Sequence, residues 1–140
     1  MTEYTSLNPQ ETEQIAIDLV KNLSSGAVLA LAGNLGAGKT VFVKGLAKAL
    51  GIEDRVNSPT FVLLKVYNTN HPRIKRLIHV DCYRLEGQED LQDIGLTDFL
   101  DDPANLVVIE WADRISNLPA GTKRIEITYL EGDKRKIVIE

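Results

Sequence analysis

The chain has 140 residues, 44% of them apolar and 26% charged, and a formal net charge of −4; that is enough for one globular domain with a sizeable core. The acidic balance advertises no free-standing nucleic-acid surface, and the single cysteine excludes an internal disulfide and suits a reducing cytosol. No signal peptide is visible in Met1-Thr2-Glu3-Tyr4, and no apolar run approaches membrane-spanning length, so a cytoplasmic protein away from membranes is expected.

Residues 3–7 carry a weak signal for a short edge strand. Asn8-Pro9-Gln10-Glu11 reads as a helix start, with Asn8 as cap, Pro9 in the first turn and Glu11 reaching back. Ile15, Ala16, Leu19, Val20 and Leu23 form one apolar stripe, which Ser24-Ser25-Gly26 ends. The apolar run Ala27-Val28-Leu29-Ala30-Leu31 predicts a buried strand. It leads into Gly33-Asn34-Leu35-Gly36-Ala37-Gly38-Lys39-Thr40, which satisfies G-x-x-x-x-G-K-[ST] at every fixed position. Phe42, Leu46, Ala49 and Leu50 then share a helical face, and Gly51 is the expected C-terminal cap.

A strand before the motif and a helix after it separate a phosphate-binding loop from an ordinary glycine-rich turn. The glycines let the backbone curl so that its N–H groups point inward at an anion, and the N-terminus of the next helix adds partial positive charge. The backbone of Asn34, Leu35, Gly36, Ala37 and Gly38 would cradle phosphates, Lys39 would reach the outer ones, and the Thr40 hydroxyl would bind Mg²⁺.

Ser58-Pro59 breaks the chain. Phe61 to Tyr67 and Lys75 to Cys82 read as strands around the turn Asn68-Thr69-Asn70-His71-Pro72, a predicted hairpin. In the second strand Ile78, Val80 and Cys82 fall on one face; Leu77, His79, Asp81 and Tyr83 fall on a more polar one. Residues 86–100 are acidic and partly helical, with Leu91, Ile94 and Phe99 as apolar contacts, and Asp101-Asp102-Pro103 ends them. Leu106-Val107-Val108-Ile109 is a continuous apolar run, hence a buried strand, ending at Glu110. Two further strands, Arg124 to Tyr129 and Lys136 to Glu140, flank the turn Glu131-Gly132-Asp133. These elements predict a single α/β domain over residues 1–140, with helices flanking a mixed parallel and antiparallel sheet.

A nucleoside triphosphate carrying Mg²⁺ needs an acid at the end of a buried strand, to hold the metal or orient a water. Glu110 and Asp81 compete. The uniformly apolar strand favours Glu110, while the polar face of its own strand suggests that Asp81 sits further out. Thr60 either senses the terminal phosphate or simply starts a strand. His79 fits a hydrogen-bonded structural role better than direct chemistry, and Cys82 a buried thiol. Trp111 either stacks on a ligand or fills space, and Lys134-Arg135-Lys136 reads as a solvated hairpin edge.

Taken in order, Gly33–Thr40, Ser58-Pro59-Thr60-Phe61, His79-Val80-Asp81-Cys82-Tyr83-Arg84, Asp93-Ile94-Gly95-Leu96 and Glu110-Trp111 carry a family resemblance. The chain resembles the TsaE (formerly YjeE) family, the bacterial ATPase subunit of tRNA threonylcarbamoyladenosine synthesis. The resemblance implies a P-loop NTPase fold and slow, Mg²⁺-dependent ATP hydrolysis. Thr40 and Glu110 would hold the metal, and Lys39, Asp81, Glu110 and Thr60 would take part in turnover. It implies Thr12 near the base and Lys134 closing over the nucleotide. It also implies work with a two-subunit threonylcarbamoyl transferase, which the ATPase resets between cycles and through which it meets tRNA. Asn34 departs from the acidic residue that many members have there.

Two other readings compete. A small-molecule or nucleoside kinase needs a basic lid, yet residues 86–100 contain no arginine or lysine. A nucleotide-dependent binding module with incidental hydrolysis is harder to separate. A GTPase would carry an N-K-x-D motif, which is missing.

Overall fold

The computed structural model describes residues 1–34, 36–53, 64–82, 95–115 and 117–140. Strand β1 (Thr2–Ser6) runs into Asn8, whose extended backbone (φ −161°) and side chain set the start of helix α1 (Pro9–Lys21). Asn8 Oδ1 accepts the Glu11 N–H at 2.9 Å, satisfying one of the donors a helix start leaves unpaired. Ala16 and Val20 are buried on the predicted stripe, and Ile15, Leu19 and Leu23 pack partly against the same core.

Strand β2 (Ala27–Ala32) is followed by the glycine loop and helix α2 (Lys39–Ala49). Helix α2 buries Phe42, Val43, Leu46 and Ala47, more than one face, because α1 lies against it. The two helices close on Gly45, where a Cβ would stand 2.6 Å from the Glu13 carbonyl oxygen and 2.8 Å from the Ala16 Cβ. Gly51, one residue past the C-cap Leu50, takes a left-handed φ of 70°.

Strands β3 (Leu64–Asn68) and β4 (Arg76–Asp81) form the antiparallel hairpin predicted for them. A short helix α3 (Thr97–Leu100), strand β5 (Asn105–Glu110) and the final hairpin of β6 (Lys123–Glu131) and β7 (Lys134–Ile139) complete the described elements. The seven strands make one sheet in the order β1-β7-β6-β2-β5-β4-β3. Strands β6, β2, β5 and β4 are parallel neighbours, while β7, β1 and β3 join by antiparallel pairing. The sheet is therefore mixed, as its hairpins predicted.

Alternation along the strands sorts the core into two layers. Leu29, Leu31, Leu77, Leu106 and Val108 pack under α1 and α2. Ala30, Ile78, Val80, Cys82, Val107 and Ile109 form the other layer, with Phe99 of α3 against it. Continuing the period of two puts Asp81 and Glu110 on the α1–α2 side, at the carboxyl ends of their strands. Leu31 and Asp81 both pair in register with Glu110, so three strand ends and the glycine loop meet at one edge of the sheet.

This register corrects the reading of β4. Its polar face is not solvated: His79 is fully buried, and Asp81 stands beside Glu110 on the neighbouring strand. Parallel pairing on one side and hairpin pairing on the other make β4 an interior strand. Leu35, Thr60 and the segments 54–63 and 83–94, which include the Ser58-Pro59 break and most of the acidic stretch, lie outside the described residues.

Candidate functional site

The loop turns on three left-handed glycines, Gly33 (φ 154°), Gly36 (φ 80°) and Gly38 (φ 111°). At Gly33 a Cβ would also lie 2.6 Å from the Ile127 carbonyl oxygen of β6, so both conformation and space demand glycine there. Gly38 is the N-cap of α2 and, lacking a side chain, supplies no side-chain hydrogen bond to the helix start. The first turn of α2 thus offers its backbone donors and its partial positive charge to an incoming anion.

Lys39 opens α2 and is buried. Its ammonium donates to the Gly33 carbonyl oxygen at 2.5 Å and lies 4.0 Å from the centroid of the Trp111 ring. Burial lowers its pKa, while Glu110, Asp81 and Asp113 pull it back up. Trp111 takes a left-handed backbone (φ 58°), the only non-glycine to do so among the described residues. Holding that conformation costs on the order of 1–3 kcal/mol; a cation–π contact of about 0.5–2 kcal/mol offsets part of it.

Glu110 is buried at the end of β5, and His79 Nε2–H donates to its Oε2 at 2.6 Å. Among the described residues His79 Nδ1 has no hydrogen-bond partner. The Cys82 N–H donates to the Glu110 carbonyl oxygen at 3.0 Å, which locks the two strand ends together. A crevice of about 840 Å³ is lined by the loop, by Trp111 and Asp113 after β5, and by Ile127, Tyr129 and Arg135 of the last hairpin.

A glycine loop beside a buried ammonium, itself in the field of three carboxylates, suits a polyphosphate with a divalent ion. The model of one protein family, described as threonylcarbamoyl adenosine biosynthesis protein TsaE, matches residues 6–137. The chain belongs to the TsaE family. It is 42% identical over 135 residues to the tRNA threonylcarbamoyladenosine biosynthesis protein TsaE of Treponema pallidum, covering 96% of each chain. It is 39% identical over 136 residues to the protein of that name from Bacillus subtilis, covering 96% of this chain and 82% of that one. The crystal structure of YdiB from Bacillus subtilis superposes with a TM-score of 0.72 at 32% identity, covering 99% of this chain and 83% of that one. The fold is that of the P-loop NTPases.

The structure places the residues singled out in the sequence one by one. Asn34, Gly36, Ala37, Gly38 and Lys39 form the loop and helix start, with Asn34 exposed and its carbonyl accepting the Ala37 N–H at 3.0 Å. Thr40 follows in the first turn of α2, half-buried. The donor chemistry of this corner fits Mg²⁺: one hydroxyl and the carboxylates of Glu110 and Asp81 are hard oxygen ligands, and Mg²⁺ is commonly held by one or two carboxylates plus substrate phosphates. Thr12 is buried on α1, its Oγ1 2.6 Å from Ser6 Oγ, and it borders a cavity of about 40 Å³ shared with Gly38 and Arg135. Lys134 is exposed and pairs with Glu131 at 3.4 Å.

Two contributors escaped the sequence. Asp113 lies in a one-turn 3-10 segment after β5, where no periodic pattern marks it. Arg135, read as part of a solvated edge, is half-buried against the loop: Nε donates to the Ala37 carbonyl oxygen at 2.8 Å and Nη2 to that of Gly36 at 3.3 Å. Drawing the register of the last hairpin would have offered a signal, since it sets Arg135 opposite Tyr129, and the guanidinium lies 4.8 Å from that ring.

Proposed function

We propose that this chain binds ATP with Mg²⁺ and hydrolyses it slowly, in support of threonylcarbamoyl modification of the tRNA adenosine next to the anticodon. The observation that carries the reading is Lys39: a buried ammonium at the start of α2, under the glycine loop and in the field of Glu110, Asp81 and Asp113. The loop backbone from Asn34 to Gly38 binds the phosphates. Lys39 leaves the Gly33 carbonyl and the Trp111 ring to reach the outer phosphates. Thr40 and Glu110 hold the metal, which when bound neutralises charge on the phosphate oxygens. Asp81, beside Glu110, helps orient the attacking water, and Thr60 assists at the terminal phosphate. Thr12 and Lys134 contribute to the nucleotide site from α1 and the last hairpin.

Membership of the TsaE family supports placing this ATPase with a two-subunit threonylcarbamoyl transferase, which it resets between cycles and through which it meets tRNA, in the cytoplasm. No described helix is long and apolar enough to cross a membrane. The test is ATP consumption by the wild type and Lys39→Ala, alone and with the purified transferase pair and tRNA. Slow turnover of the wild type, raised by the pair and abolished by the substitution, is expected. Turnover that survives Lys39→Ala would remove the loop from the reaction. A stoichiometric phosphorylated small molecule in place of free phosphate would make the chain a kinase.

A further inference from the structure

Arg135 spans the gap between the last hairpin and the phosphate loop. Besides the bonds to the Gly36 and Ala37 carbonyls, its Nη1 donates to the carbonyl oxygens of Gly132 at 2.9 Å and Lys134 at 3.0 Å. The tip of the hairpin therefore braces the guanidinium from behind, and the Tyr129 ring lies 4.8 Å from it. What it grips is the backbone of residues 36 and 37, from a position 98 residues away along the chain.

The consequence follows from the planarity of the peptide unit. In a trans peptide the C=O and N–H point in opposite directions. Drawing the Ala37 carbonyl toward the hairpin turns the Gly38 N–H to the opposite side. The Gly36 carbonyl belongs to the peptide whose N–H, on Ala37, already closes a turn onto the Asn34 carbonyl at 3.0 Å. Two consecutive peptides are thus fixed in orientation, one by clamp and turn together and one by the clamp alone. Glycine on both sides leaves this segment no intrinsic preference of its own, since Gly36 and Gly38 roam φ freely and a Cβ at Gly36 would meet nothing within 4 Å.

We propose that Arg135 is a positioning residue that fixes the backbone of the phosphate loop at residues 36–38 before any anion arrives. It acts through the Gly36 and Ala37 carbonyls, and its planar fork, not its charge alone, is what the position requires. A lysine would place one point charge where the arginine divides its donors among four carbonyls. The proposal rests on the loop being the nucleotide-binding element.

The experiment compares wild type with Arg135→Lys and Arg135→Gln in two measurements. The first records backbone amide resonances of residues 36–38 in nucleotide-free protein, with the thermal midpoint as a check of folding. The second is the Kd for Mg-ATP. Both variants are expected to fold, to move the 36–38 resonances without ligand, and to bind Mg-ATP about tenfold more weakly. Lysine restoring wild-type affinity would reduce Arg135 to a phosphate-facing charge and overturn the proposal. So would loop resonances unmoved in both variants. If Arg135→Gln fails to fold, Arg135→Lys decides alone. If the wild type does not bind Mg-ATP at all, the proposed function fails, while the resonances still decide whether Arg135 shapes the loop.

Discussion

Glu110 is the residue on which position and chemistry converge. It ends a strand buried along its whole length, and one of its oxygens is already held by His79 at 2.6 Å. The strand was legible because four consecutive apolar residues, two of them β-branched valines and one isoleucine, bounded by a proline-containing turn, favour a buried strand. The hydrogen-bonded structural role expected of His79 holds, but its partner was not legible, since a sequence does not say that β4 aligns beside β5. Replacing Glu110 by Gln keeps the shape: the amide oxygen still accepts the His79 N–H, and the NH₂ takes the place of the second oxygen. Only the anionic oxygen is lost. Turnover of ATP should fall about 100-fold, the scale of a lost acid–base or metal-orienting group, while the Kd for the nucleotide moves by no more than about threefold. Steady-state hydrolysis and equilibrium binding on the same preparation check this, and unchanged turnover would assign the role to Asp81.

At the scale of elements, the β3–β4 hairpin shows what turn composition reveals and what it hides. Asn68 to Pro72 announces a turn by residue type, but not which atom holds it closed. In the structure His71 Nδ1 accepts the N–H groups of Arg73 and Ile74, each at 3.1 Å. Protonation would convert that acceptor to a donor. Burial, helped by the nearby Arg73 and Lys75 charges, holds the His71 pKa below its ordinary value of 6.5. The unfolded chain therefore takes up this proton at higher pH than the folded one. Stability from this group is complete above the unfolded value and is lost as pH falls through the folded one. Asn at this position can accept similar bonds without titrating. The thermal midpoint of the wild type should therefore fall more between pH 7.5 and pH 5 than that of His71→Asn. Equal falls would remove His71 from the acid response.

Across the whole molecule, the legible part was the half built from local pattern: the strand–loop–helix, the apolar strand ending at Glu110 and the hairpins that make the sheet mixed. What stayed hidden depends on contacts between distant segments. Tyr129 and Arg135 reach the loop only because β6 pairs parallel to β2, and Asp81 meets Glu110 only because β4 and β5 align in register. The loop, the end of β2, the segment after β5 and the last hairpin thus border one crevice, so a ligand bound there ties distant parts of the chain together. A ligand that binds only the folded state at about 100 times its Kd stabilises it by about 2.7 kcal/mol, a rise in thermal midpoint on the order of 5–10 °C for a domain of this size. Mg-ATP should produce that shift in the wild type. Lys39→Ala should lose most of it, because the remaining backbone donors bind the phosphates without the ammonium that the outer ones need. Thermal unfolding followed with and without Mg-ATP checks both chains. A midpoint that Mg-ATP leaves unmoved in the wild type would mean that the crevice is not a nucleotide site. An equal rise in both chains would mean that Lys39 does not face the phosphates.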